Sequence, residues 1–132
     1  KAKKALKMVE LDESFYERSP LDLSGGQKRR VAIAGILAME PEIIVLDEPT
    51  ASLDVSTQAR VLNLLKDPQD ALGLSYLFIS HDLSSVQFIS QHLLVMKDGV
   101  VVDDFDRERL FDSERHEYTR QLIDLFEDLP AV

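Results

Sequence analysis

The sequence predicts an α/β fold with a mainly parallel sheet, on three observations. Ile43-Ile44-Val45-Leu46 is a run of four apolar residues, mostly β-branched, and reads as a strand buried on both faces. A helical stretch at 55–66 separates it from a second apolar run at 74–80, and a strand–helix–strand order of this kind implies a parallel pair. Asp98-Gly99, between runs at 92–97 and 100–102, is a hairpin turn signal that adds an antiparallel edge.

Each element has a local reason. Residues 1–10 read as helical, with Ala5, Leu6, Met8 and Val9 as apolar positions among lysines. Residues 11–22 carry Ser, Pro and several acids and read as a short helix plus loop. Ser24 is an N-cap with Gln27 three residues on, as in a capping box, and opens a buried helix through Met39. Pro41 ends it, because proline disfavours helix in the residue before it. After the first strand, Ser52 or Asp54 caps the helix at 55–66, whose apolar face is Val55, Ala59, Leu62 and Leu65; Asp67-Pro68 breaks it. Residues 83–90 form a helix and 107–111 a short one. The stretch 114–129 forms a longer helix, with Tyr118, Leu122, Leu125, Phe126 and Leu129 on one face.

The 132 residues suffice for one modest domain with one core. Hydrophobic content of 45% with 30% charged residues is an ordinary soluble composition. No apolar run approaches the roughly 20 residues that span a bilayer, so a membrane role must come through a partner. The net charge of −9 is uneven. Residues 1–60 hold nine Lys/Arg against ten Asp/Glu; residues 61–132 hold six against fourteen. An acidic second half without a basic stripe argues against nucleic acid as the main ligand. The absence of cysteine excludes disulfides and thiolate metal sites and fits a cytoplasmic protein. Lys1-Ala2-Lys3-Lys4 lacks an apolar h-region, so no signal peptide is expected. A chain that begins inside a helix without an initiator Met reads as a fragment, or as a processed or engineered product.

The chemistry concentrates at the ends of the strands. Open α/β sheets bind ligands outside the carboxyl ends of their strands, and the first strand delivers Asp47-Glu48 there. Such a pair suits Mg-nucleotide chemistry. Asp47 can hold Mg²⁺ through its water shell, since that ion keeps several waters. Glu48 can orient and deprotonate an attacking water. The plainer alternative is two solvated acids before the Pro49 turn. Parallel pairing puts His81, after the second strand, on the same sheet edge; the alternative for His81 is a capping or surface residue. Leu23-Ser24-Gly25-Gly26-Gln27 opens a helix with free N–H groups, a hydroxyl and no Cβ bulk, which suits phosphate; the alternative is an ordinary cap. His92 reads as structural.

Together these motifs resemble those of the ABC transporter ATPases. Residues 23–27 look like the family's signature, 43–48 like its Walker B strand and catalytic glutamate, Ser52-Leu53-Asp54 like its D-loop, and His81 like its switch histidine. The likeness covers roughly residues 11–102, in the family's order and spacing. Residues 19–50 resemble the ATPases of energy-coupling-factor importers for vitamins and metal ions. Residues 51–120 resemble those of oligopeptide, dipeptide and nickel importers, with Glu117 where that branch usually has Pro.

The resemblance implies a P-loop NTPase-like, partial three-layer sandwich that acts with ATP and Mg²⁺ as a head-to-tail dimer. Leu23, Ser24, Gly25, Gly26 and Gln27 would meet the γ-phosphate held by a second ABC ATPase subunit. Asp47 (through water), Glu48 and His81 would act on the nucleotide in their own site, and Ser52 to Asp54 would couple the two. Permease subunits would hold the protein at the inner face of the membrane, without insertion of its own. It further implies three parts: 1–22 as the end of a helical subdomain, 23–105 as the signature helix and catalytic core, and 106–132 as a C-terminal helical tail. No Gly-x-x-x-x-Gly-Lys-Ser/Thr occurs in these 132 residues, so the Walker A loop and its strand are absent from them. The chain alone is therefore expected to be inactive. An alternative reading is a truncated or engineered piece that self-associates or serves as an interaction module. The strand before His81 would have an open edge, predicting either assembly or a hairpin moved in beside it.

Overall fold

The computed structural model describes residues 1–127. In chain order its elements are α1 (Ala2–Met8), 3₁₀ turns at Glu13–Glu17 and Pro20–Asp22, α2 (Gly25–Leu37), β1 (Ile43–Asp47), α3 (Val55–Leu72), β2 (Ser75–Ile79), α4 (Leu83–Ile89), β3 (His92–Lys97), β4 (Val100–Asp106), a 3₁₀ turn at Arg107–Arg109 and α5 (Glu117–Glu127). They fall into two compact units, one of residues 1–44 and 63–75, the other, among the described residues, of 45–62 and 76–127.

In the first unit α1 packs on α2, burying Ala5, Leu6, Val9, Leu11, Leu23, Ala34 and Leu37. The end of α1 is held by Arg30, whose guanidinium donates to the Val9 carbonyl at 3.2 Å and pairs with Glu10 at 2.8 Å. Arg30, the last of the basic run Lys28-Arg29-Arg30, is thus spent on a neighbouring helix end. The expectation of a buried α2 is corrected: only Ala34 and Leu37 are buried along it, and Met39 beyond it is 72% exposed.

The break expected at Asp67-Pro68 does not occur. Pro68 removes one intrahelical donor, yet α3 runs on to Leu72, and the Pro68 side chain is fully buried. Burial of the ring offsets the missing bond. The helix ends instead at Gly73, at φ +65°, where the Leu74 N–H reaches back to the Gln69 carbonyl at 3.2 Å, a Schellman closure.

β1 and β2 pair in parallel, as predicted: Ser75 N–H donates to the Glu42 carbonyl at one end and Glu48 N–H to the Ile79 carbonyl at the other. Burial on both faces is corrected. Ile44 is buried and Leu46 half-buried, whereas Ile43 and Val45 are exposed; in β2, Tyr76 and Phe78 are half-buried while Leu77 and Ile79 are exposed. Within the second unit Val45, Leu77 and Ile79 share one bare face, because nothing among the described residues covers it.

β3 and β4 form a separate antiparallel hairpin around Asp98-Gly99, both at positive φ, with a bulge opposite Val95-Met96. The hairpin does not move in beside β2; among the described residues the two sheets stay separate. β4 extends to Asp106, past the expected 102, and its Phe105 joins Leu93, Leu110 and Ile123 in the core. α5 begins at Glu117 rather than 114, and its buried positions are Thr119 and Ile123. Leu125, expected inward, is 68% exposed, and Leu129 lies outside the described residues. The reason is polar. Asp103 on β4 takes a hydrogen bond from the Thr119 hydroxyl (2.8 Å) and from the His116 N–H (2.9 Å), and an ion pair from Arg115 (3.3 Å). These contacts fix the helix's rotation before its apolar stripe can.

Candidate functional site

Glu48 follows β1 directly and continues its pairing by one residue. Its backbone sits at φ +46°, a region that non-glycine residues seldom occupy. That twist turns the side chain toward the end of β2. Glu48 Oε1 accepts from the His81 N–H at 3.2 Å and lies 2.9 Å from His81 Nδ1. The hydrogen bond and the charge of Glu48 raise the His81 pKa above 6.5, although the imidazole is 81% exposed. Glu48 Oε2 is buried and has no partner. One carboxylate oxygen is therefore anchored and the other holds unused lone pairs out of bulk water, a state that favours accepting a donor such as a water. Asp47, beside it, is exposed.

The 52–54 segment lies in the same unit. Ser52 is at φ +61° and Leu53 is half-buried. Asp54 caps α3, accepting from Thr57 N–H at 3.0 Å and Ser56 Oγ at 2.6 Å. Those bonds favour its anion and hold the carboxyl well below the ordinary carboxylate range. Of the two capping choices left open by the sequence, Asp54 is the one used.

Leu23 to Gln27 belong to the other unit. Leu23 is buried, and both bonds of the capping box form: Ser24 Oγ accepts from Gln27 N–H at 3.3 Å, and Gln27 Oε1 accepts from Ser24 N–H at 3.0 Å. A Cβ on Gly25 or Gly26 would meet no atom within 4 Å, and both residues are exposed. Packing inside this chain gives no reason for either glycine, although each weakens the helix start.

Sequence reasoning passed over a polar network beside the Glu48–His81 pair. It comprises Thr50, Gln58, Asp82 and Ser85, with Thr50 and Ser85 buried. Asp82 caps α4 through the N–H groups of Ser84 and Ser85. Burial alone would raise its pKa, but the bonds from Ser84 and Ser85 outweigh it and leave the carboxyl lowered. Asp82 before Ser84-Ser85 is a legible cap signal; Gln58, in the first turn of α3, carries none. His92, expected to be structural, is bracketed by Asp106 at 2.9 Å and Asp104 at 2.6 Å.

Comparison with known proteins gives one consistent picture. Residues 1–51 match the family described as ABC transporter. The chain is 49% identical over 118 residues to the oligopeptide transport ATP-binding protein OppD of Mycobacterium tuberculosis, an alignment covering 89% of this chain and 19% of that protein. It is 46% identical over 123 residues to the dipeptide transport ATP-binding protein DppF of Escherichia coli, covering 91% of this chain and 37% of that one. Among solved structures it resembles CbiO1 of Clostridium perfringens, part of the ABC transporter complex CbiONQ, with a TM-score of 0.75 at 33% identity, covering 98% of this chain and 49% of that one. The chain thus spans about a fifth to two fifths of the length of these curated relatives, and about half of that solved chain. Both importer branches read from the sequence are represented among these relatives. Among the described residues no helix is long and apolar enough to cross a membrane.

Proposed function

This chain is homologous to the ATPase domain of ABC transporters, and from that premise we propose that it supplies the hydrolytic side of an ATP-driven importer. The observation that carries the reading is the Glu48 carboxylate, anchored to His81 through one oxygen and unpartnered at the other. Glu48 would accept the proton of the attacking water, and His81 would hold Glu48 in place and offer a donor to the terminal phosphate. Asp47, the residue before Glu48, is an exposed carboxylate and would hold a hydrated Mg²⁺ through water. When bound, Mg²⁺ neutralises charge on the phosphates. The fit is partial, because these residues include no P-loop lysine or Ser/Thr to cradle the phosphates, and another segment or subunit would provide them.

Ser24, Gly25 and Gly26, with Leu23 and Gln27 shaping the turn, would contact the nucleotide of a second ATPase subunit. That role gives both glycines the reason that internal packing does not. Ser52 to Asp54 would face the same interface. Permease subunits at the inner face of the membrane would complete the machine, with peptides as the cargo class the relatives suggest. We read residues 1–22 as the end of a helical subdomain, 23–105 as the catalytic core and 106–132 as a tail.

The test compares ATP turnover by the 132-residue chain with that of its Glu48→Gln variant, alone and after addition of a P-loop-bearing half. Alone, the two should be equally inert. Completed, Glu48→Gln should lose on the order of 10²- to 10⁴-fold in turnover with nucleotide binding retained. Equal turnover in the completed pair would overturn the role of Glu48. A second reading, association through a second copy, is favoured by the bare face of Val45, Leu77 and Ile79. Light scattering separates it: a monomer at high concentration would remove it.

A further inference from the structure

Two helices of the second unit begin at an aspartate cap, and each cap adjoins a candidate site segment. Asp54 closes the 52–54 loop and caps α3; Asp82 follows His81 and caps α4. Gln58 stands one turn into α3, its N–H bonded to the Asp54 carbonyl at 2.9 Å. Its side-chain amide donates both to Asp82 Oδ2 and to Ser85 Oγ, the latter at 2.7 Å. The Ser85 hydroxyl donates to Asp82 Oδ2 at 2.5 Å and lies 3.5 Å from Thr50 Oγ1, two residues beyond Glu48. The proton count closes. Both N–H bonds of the Gln58 amide are used, the Ser85 proton goes to Asp82, and Thr50 is left to donate to Ser85. Ser85 is fully inaccessible and Thr50 is 4% exposed, so water cannot substitute freely for the bonds that Ser85 makes.

We propose that Gln58 is a positioning residue that locks the His81–Asp82 turn to the first turns of α3. The 52–54 loop and the Glu48–His81 pair then move as one body. The inference rests on the hydrolytic reading of that pair and adds how a contact felt at Asp54 would reach it without touching it. A residue of equal length without a donor should uncouple the two. Proximity alone would not, since among the described residues the Gln58 amide bonds to Asp82 and Ser85 and to neither Glu48 nor His81.

The test is nuclear magnetic resonance on the 132-residue chain without nucleotide. In the wild type the Gln58 side-chain amide protons should be resolved from each other and slow to exchange. Gln58→Met should shift the His81 ring resonances and speed exchange of the Ser85 amide by about tenfold, the size of one lost hydrogen bond. Gln58→Lys, which restores a donor, should return both toward wild type; a merely space-filling role would show no such rescue. Gln58 protons exchanging at the rate of a free amide, or His81 resonances unmoved in folded Gln58→Met, would overturn the proposal. Should Gln58→Met not fold, Ser85→Ala removes one acceptor of the same amide and is read in the same way. No nucleotide is present, so failure here leaves the hydrolytic reading standing. Intact coupling with turnover independent of Glu48 would count against that reading alone.

Discussion

Replacing Asp103 by alanine should loosen α5 more than any other single polar substitution in its unit. Asp103 is a side chain 11% exposed facing Arg115, 7% exposed, across 3.3 Å. The Arg115 Nε is buried without a partner among the described residues, and its guanidinium stacks over the Phe105 ring at 4.3 Å. The substitution strands that guanidinium and frees the His116 N–H and Thr119 hydroxyl at the start of the helix. Breaking a buried pair by removing one partner costs about 3–5 kcal/mol, which is a large fraction of the roughly 5–15 kcal/mol that holds a domain folded. Urea titration should show a lower midpoint at unchanged slope, and the amides of α5 should exchange faster than those of β3. The double variant Asp103→Leu with Arg115→Met should recover most of the loss, since it leaves no buried charge unpaired. A loss under about 1 kcal/mol for Asp103→Ala, or a double variant no better than the single, would refute the assignment of α5's rotation to this network.

Two further outcomes follow from groups already located. Gly26→Ala should stabilise the chain by about 0.5–1 kcal/mol, as helix propensity dictates where no Cβ clash exists, while weakening millimolar phosphate binding followed by amide shifts at 24–27. No perturbation there in the wild type would count against an anion site. His92 is raised above 6.5 by its bonds to Asp106 and Asp104. Its stabilisation is complete below pH 6.5 and disappears as pH rises through the raised value. Thermal melts should therefore fall from pH 6 to pH 9. His81 carries a shift of the same sign, so His92→Gln should flatten that slope only in part.

What could be read in advance was what is decided locally. The Ser24–Gln27 box, the Asp98-Gly99 turn and the Asp54 cap are each set by residues within four positions of one another, and all three form. The Glu48–His81 meeting was legible because parallel pairing fixes which strand ends coincide. Hidden features depended on distant partners. Pro68 sits in mid-helix because its ring is buried, which no local rule reports. Of the α5 stripe, Tyr118, Leu122 and Phe126 are half-buried, but Leu125 was misjudged because Asp103, 16 positions before Thr119, selects the inward face. Ile43 and Val45 are as apolar as a two-sided strand requires, but apolarity states a demand for cover without saying where the cover comes from.

The left-handed backbone at Glu48 bears on how such a sequence changes over time. A glutamate at φ +46° is held against its own preference, at a cost on the order of 1 kcal/mol that glycine or asparagine would largely relieve. Drift toward greater robustness would therefore favour glycine or asparagine at position 48, whereas other replacements keep the strained backbone and lose the bonds to His81. Stability and the carboxylate pull in opposite directions at that one codon, so a screen of position 48 for heat resistance should enrich Gly and Asn, whereas a screen for turnover after completion by a P-loop-bearing half should enrich Glu.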